Sequence, residues 1–199
     1  MLNNHNMVYP CPFSKGYGVP RQQAWLLLNL FFLYRFVIAS LFVILFFTYM
    51  GPTLLGQHDP KLYISSSLCY LILSCISGFC VFFRFPDYTT QAQLLIFTDI
   101  IFITLLMHAS GGVVSGIGIL LTVTTSAGGL LIGGKCAMLF AAIASIAILS
   151  EQIYSTQSQT FDSDWSYAGM LGASFFTIAL LSYTLAKRTE QTERIVSQR

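Results

Sequence analysis

Four ionisable residues stand within or at the ends of long apolar runs: Arg35, Asp99, His108 and Glu151. A charge at the centre of a bilayer costs about 2.5–3.5 kcal/mol on insertion scales, so each is by default a candidate for binding, proton transfer or signalling. A guanidinium and a carboxylate at similar depth on neighbouring helices would relieve that cost by pairing, and Arg35 and Asp99 are of the right types. His108 and Glu151 fall near the opposite ends of their runs, where an imidazole and a carboxylate could cluster. Recognisable catalytic patterns do not accompany them. An intramembrane serine protease would want Gly-x-Ser-Gly in the glycine-rich stretch, but Val occupies position 113. A dinucleotide fingerprint fails because Leu121 stands where a third glycine should follow Gly116 and Gly118. No HExxH or paired acidic motif is present, and a dyad of His108 with Ser110 or Ser115 has nothing to orient it.

The elements that must position these residues are membrane helices. Of the 199 residues, 55% are hydrophobic and 9% charged. A soluble domain carries roughly 25% charge, so this chain could not cover a water-exposed surface of its own size. Apolar runs at 24–49, 62–83, 92–108, 113–132, 136–150 and 167–186 have lengths suited to spanning, at about 20 residues each. Gly and Pro punctuate them at Gly51-Pro52, Asp59-Pro60, Gly111-Gly112 and Gly133-Gly134. The expected fold is therefore all-α and integral to the membrane, a six-helix transmembrane bundle over 24–186. It follows a cytoplasmic tail, 1–23, and precedes a cytoplasmic helical extension, 187–199.

Orientation follows from the basic residues. Six spans collect Lys15, Arg21, Arg84, Lys135, Lys187, Arg188, Arg194 and Arg199 on one side and leave only Lys61 on the other. The positive-inside rule then puts both termini in the cytoplasm. The outer connections are too short to form a domain of about 50 residues, so whatever the chain detects meets it in the membrane or at its surface. Past Ala186 no Gly or Pro stops the sixth helix, and Glu190 with Arg194 is a favourable i,i+4 pair, although a frayed, solvated tail is the alternative. Net charge of +2 and the lack of a basic cluster argue against nucleic acid. The five cysteines, four of them in apolar runs and without a CxxC pair, suggest small hydrophobes rather than disulfides or a metal site.

Glycines form the other notable pattern. Gly111, Gly112 and Gly116 interrupt the hydrophobic run between the third and fourth spans, and Gly112–Gly116 and Gly129–Gly133 have GxxxG spacing. The spacing suits a tight turn and close helix packing. A partly unwound helix end at a sensing site is the functional alternative.

Tyr34-Arg35, Asp99-Ile100, the segment Leu106-Met-His-Ala-Ser-Gly-Gly-Val113, Glu151-Gln152, Ala168-Gly-Met-Leu-Gly172 and the Lys187-Arg188 exit together resemble the membrane domain of PilS-type sensor histidine kinases. The resemblance covers about residues 25–199. It implies a two-component signal-input domain that acts on type IV pilin transcription, works as a homodimer, and transmits through helix six to a kinase and a cognate response regulator. The pilin subunit in the membrane is a further implied partner, and the bacterial inner membrane the implied location. Such kinases bind ATP in a catalytic core, but none of His5, His58 and His108 is followed by the Glu of a phosphoacceptor box. Gly128-Gly129 and Gly133-Gly134 lie in apolar sequence rather than in an ATP box. Enzyme activity is therefore expected of the parent kinase, with no cofactor in this chain and the core beyond residue 199. The rival reading is a small transporter or channel with Arg35, Asp99 and the glycine break as its substrate site.

Overall fold

The computed structural model describes residues 7–8, 11, 19–48, 55–132, 134–157 and 165–197. Two short strands, β1 (Met7–Val8) and β2 (Val19–Pro20), pair antiparallel and lead into six helices. These are α1 (Arg21–Thr48), α2 (Pro60–Phe83), α3 (Tyr88–Ala109), α4 (Leu120–Leu131), α5 (Gly134–Gln157) and α6 (Trp165–Ser197). Five of them are long and apolar enough to cross a membrane. The fold is all-α apart from the two-residue strands.

Local chemistry explains the boundaries. Asp59 caps α2 by accepting from the Lys61 and Leu62 amides at 3.1 Å, and Pro60 occupies the first turn, where its missing N–H costs nothing. At the far end Arg84 takes the left-handed conformation that stops the helix, and its amide returns to the Cys80 and Val81 carbonyls. From the first turn of α3, Gln91 Nε2 also donates to Cys80 O at 2.7 Å and, in the connection just past α2, to Phe85 O at 2.9 Å. The connection into α2 rests on the end of α3: the His58 and Asp59 amides both reach Ala109 O at 3.3 Å.

The fourth run departs from expectation. In place of one continuous helix over 113–132 the chain makes two 3-10 turns, Gly112–Ser115 and Ile117–Ile119, and then the 12-residue α4. A helix of that length rises about 18 Å, short of a bilayer core of about 30 Å. Gly111, Gly112 and Gly116 all have positive φ, at 108°, 77° and 76°, a region where a side chain costs about 1–2 kcal/mol.

α1 packs on α2, α2 on α3, α3 on α4 and α5, and both α4 and α5 on α6. The core runs through Leu28, Ile96, Ile100, Met107, Leu121, Ala144 and Phe175. Leu26, Leu30, Phe47, Phe79, Phe82, Ile146 and Met170 point outward and are more than half exposed. A soluble monomer does not display that much contiguous apolar surface, whereas lipid accepts it. The chain is a multi-pass membrane protein.

One expectation is corrected here. Cys11 and Cys136 form a disulfide, with Cα atoms 5.9 Å apart across a sequence separation of 125. Spacing could not reveal it, because only the folded bundle returns the N-terminal segment to the start of α5. Cys69, Cys75 and Cys80 remain free on α2.

Candidate functional site

The helix starts set the depth of the first charged pair. At 1.5 Å per residue Arg35 stands about 21 Å along α1 and Asp99 about 16 Å along α3, both measured from the same end of the bundle. The structure brings Arg35 Nε to 3.1 Å from Asp99 Oδ1, and each side chain is only 1% exposed. α2 and α3 supply the supporting groups. Arg35 Nε also donates to Ser74 Oγ at 3.2 Å, Arg35 Nη1 donates to Leu95 O at 3.1 Å, and Tyr70 OH donates to Asp99 Oδ1 at 2.9 Å. The guanidinium lies 5.0 Å from the centroid of the Tyr70 ring, within cation–π range. Three helices are therefore pinned at one point near mid-membrane. Asp99 Oδ2 is the one atom of the pair left buried without a hydrogen bond among the described residues.

Tyr70 and Ser74 were not singled out from sequence, although a signal existed. They are four apart in an apolar run, with Ser66 and Ser67 a turn earlier, so small polar groups stripe one face of α2. All four are buried.

The second pair lies at the opposite end of the bundle. His108 Nδ1 is 3.1 Å from Glu151 Oε1, which also accepts from Ser155 Oγ at 2.6 Å. Here the imidazole is 20% exposed and the carboxylate 4%. The rings of His58 and Tyr154 flank His108 at centroid distances of 6.0 and 5.4 Å. Glu151 Oε2 is buried without a hydrogen bond among the described residues. An apolar groove of about 660 Å³, lined by Leu62, Phe97, Ile101, Leu105 and Ala147, takes both His108 and Glu151 into its wall. A smaller crevice of about 270 Å³, bordered by Leu73, Ile76 and Leu94, reaches Arg35.

The glycines divide between turning and packing. Gly111, Gly112 and Gly116 make the break, and Ser110 Oγ within it accepts the Gly56 amide at 3.1 Å. Gly129 works by close approach instead: a Cβ there would lie 2.6 Å from Ser182 Cβ on α6. Beside it Ser126 and Ser182 hydroxyls meet at 3.0 Å, a small-residue seam between α4 and α6. Gly133 lies outside the described residues. Gly118 was not anticipated as a contact, yet a Cβ there would meet Leu171 Cδ2 at 2.9 Å. With Gly128 and Gly129 inside α4, their amides serve the helix and cannot cradle a phosphate.

The described residues thus form a multi-pass bundle with a sealed ion pair, a half-open pair and a final helix of 33 residues. The chain matches the family described as PilS-like transmembrane domain over residues 19–196, and it belongs to that family. It is 31% identical over 179 residues to the "Sensor protein kinase PilS" of Pseudomonas aeruginosa, an alignment covering 89% of this chain and 33% of that protein. The chain thus spans about a third of the length of the curated relative it matches. No solved structure matches it.

Proposed function

We propose that this chain is the membrane signal-input domain of a two-component sensor histidine kinase controlling type IV pilin transcription. Membership in the PilS-like family and the relative's description as a sensor kinase support the class. The observation that carries the mechanism is α6. It runs unbroken from Trp165 to Ser197, about 50 Å at 1.5 Å per residue, against a hydrocarbon core of about 30 Å. A helix packed on α4 and α5 inside the membrane and continuous beyond it can carry a rotation or a shift outward. The charge distribution supports an inner-membrane orientation with both termini in the cytoplasm. ATP binding, phosphotransfer, dimerisation and docking of the response regulator are assigned to the whole kinase, and the pilin subunit is the proposed membrane stimulus. A substrate path for transport finds little support, because Arg35 and Asp99 are 1% exposed and engaged by Tyr70, Ser74 and Leu95.

The test is insertion near Thr189 in the full-length kinase, read by pilin-promoter reporter output. One added residue turns the helix by about 100° and should change output sharply, whereas seven add close to two full turns and should be far milder. Equal effects would sink transmission by rotation. Reporter fusions at Arg84, Lys135 and Arg199 should read cytoplasmic, and those after Tyr49 or near Asp162 periplasmic.

A further inference from the structure

The basic end of the bundle holds a chemical group that the ion pairs and α6 do not use. Cys11 follows β1 and Cys136 stands in the first turn of α5, and their sulfurs are bonded. Both are buried, at 4% and 7% exposed, in the apolar cluster that includes Trp25, Tyr88, Leu131 and Phe140. The same apolar cluster joins several helices at this end. Arg84 lies 5.5 Å from the Trp25 ring, Trp25 meets Tyr88 edge-on at 5.9 Å, and Tyr88 OH donates to Leu131 O at 2.9 Å. The bond therefore ties Cys11, which precedes α1 in sequence, to the first turn of α5, five residues past Leu131 at the end of α4.

The location of this bond makes it unusual. The orientation proposed above puts this end in the cytoplasm, where thiols are kept reduced and the disulfides that do occur are mostly transient or redox-sensing. We infer that Cys11 and Cys136 form a thiol–disulfide exchange site whose substrate is a small-molecule disulfide of the glutathione type. The thiolate of one cysteine attacks the small disulfide, forms a mixed disulfide and releases one small thiol. The second cysteine thiolate then displaces the other small thiol and closes the Cys11–Cys136 bond. Two cysteine thiols are oxidised to one disulfide, and the small disulfide takes up their two electrons and two protons as two thiols. A dithiol reductant reverses both steps. Because α5 packs along α6, closing the bond constrains the partner of the helix that leaves the bundle. The inference rests on the input-domain orientation but not on kinase output.

The experiment uses the full chain with Cys69, Cys75 and Cys80 replaced by Ala, which leaves Cys11 and Cys136 as its cysteines. In acid-quenched, untreated cells, maleimide-polymer tagging after denaturation should add two tags. After glutathione disulfide treatment of membrane vesicles it should add none, and dithiothreitol should restore both. Intact mass should then show the loss of two hydrogens and no adduct. Adding Cys11→Ser or Cys136→Ser should instead leave a glutathione adduct on the remaining thiol, trapping the first step. No tags in untreated cells would mean a permanent structural bond and overturn the proposal, as would two glutathione adducts and no internal bond after oxidation. Neither arm reads reporter output, so the exchange site and the input-domain reading can fail separately, and the fusions test orientation by themselves.

Discussion

Arg35–Asp99 and His108–Glu151 each bring a base and an acid to 3.1 Å across two helices, yet their settings differ. The first pair is 1% exposed on both sides and is held by a tyrosine hydroxyl, a serine and a backbone carbonyl from α2 and α3. The second has a histidine 20% exposed, a carboxylate that accepts from Ser155, and an apolar groove alongside. In a low-dielectric interior a charge stranded by loss of its partner is far more costly than the same loss near water. The mid-membrane pair therefore suits a lock that fixes α1, α2 and α3 together. The pair beside the groove suits a place where a small change in surroundings can move helices without unfolding them.

The largest expected effect tests the lock. Arg35→Leu or Asp99→Leu alone should lower stability by about 3–5 kcal/mol, because each leaves an uncompensated buried charge. The double substitution should recover part of that loss in a double-mutant cycle on detergent-solubilised protein. Strictly additive losses would mean that the two residues do not act as a pair and would remove the contrast between the two sites.

Packing offers an intermediate test, on the α4–α6 seam that the ion pair does not reach. Gly129→Leu forces a side chain into the 2.6 Å approach to Ser182 and should cost about 1–3 kcal/mol by separating α4 from α6. Thermal melting of the purified domain checks the cost. A neutral result would show that the α4–α6 seam adapts to a larger side chain.

The smallest stability effect is expected at the other end. Glu151→Gln keeps an acceptor for Ser155 and removes only the charge facing His108, so the loss should be about 1 kcal/mol or less, in the range of measured intramembrane hydrogen bonds. The same substitution in the full-length kinase should nevertheless change reporter output more than it changes melting. If melting falls as far as it does for Asp99→Leu, the two sites are equivalent and the proposed division between lock and input fails.

Much of this arrangement was legible beforehand. Charge scarcity and run length alone require membrane helices, because no other solvent accepts that composition. The depths of Arg35 and Asp99 could be compared by counting residues from the helix starts, since a helix has a constant rise. Past Lys187 the sequence left two readings open, a continued helix or a frayed, solvated tail, and the helix is present to Ser197. The glycine break was visible as a pattern, but whether it bent, unwound or merely packed was not. Positive φ at Gly111, Gly112 and Gly116 emerges only when α3 ends against the connection from α1 and the chain must re-enter the bundle.

The remaining features depend on which helices become neighbours. Tyr70 and Ser74 gain their roles only because α2 lies between the two charges, and the closeness of Gly129 to Ser182 only because α4 crosses α6. Cys11 meets Cys136 only because the start of the chain folds back to the junction of α4 and α5. Sequence determines local rise, hydropathy and the cost of each charge, which are properties of single residues and their near neighbours. Contacts between residues far apart in the chain arise from the packing of whole helices, where many weak apolar contacts set the angles and the few polar groups then meet what they face.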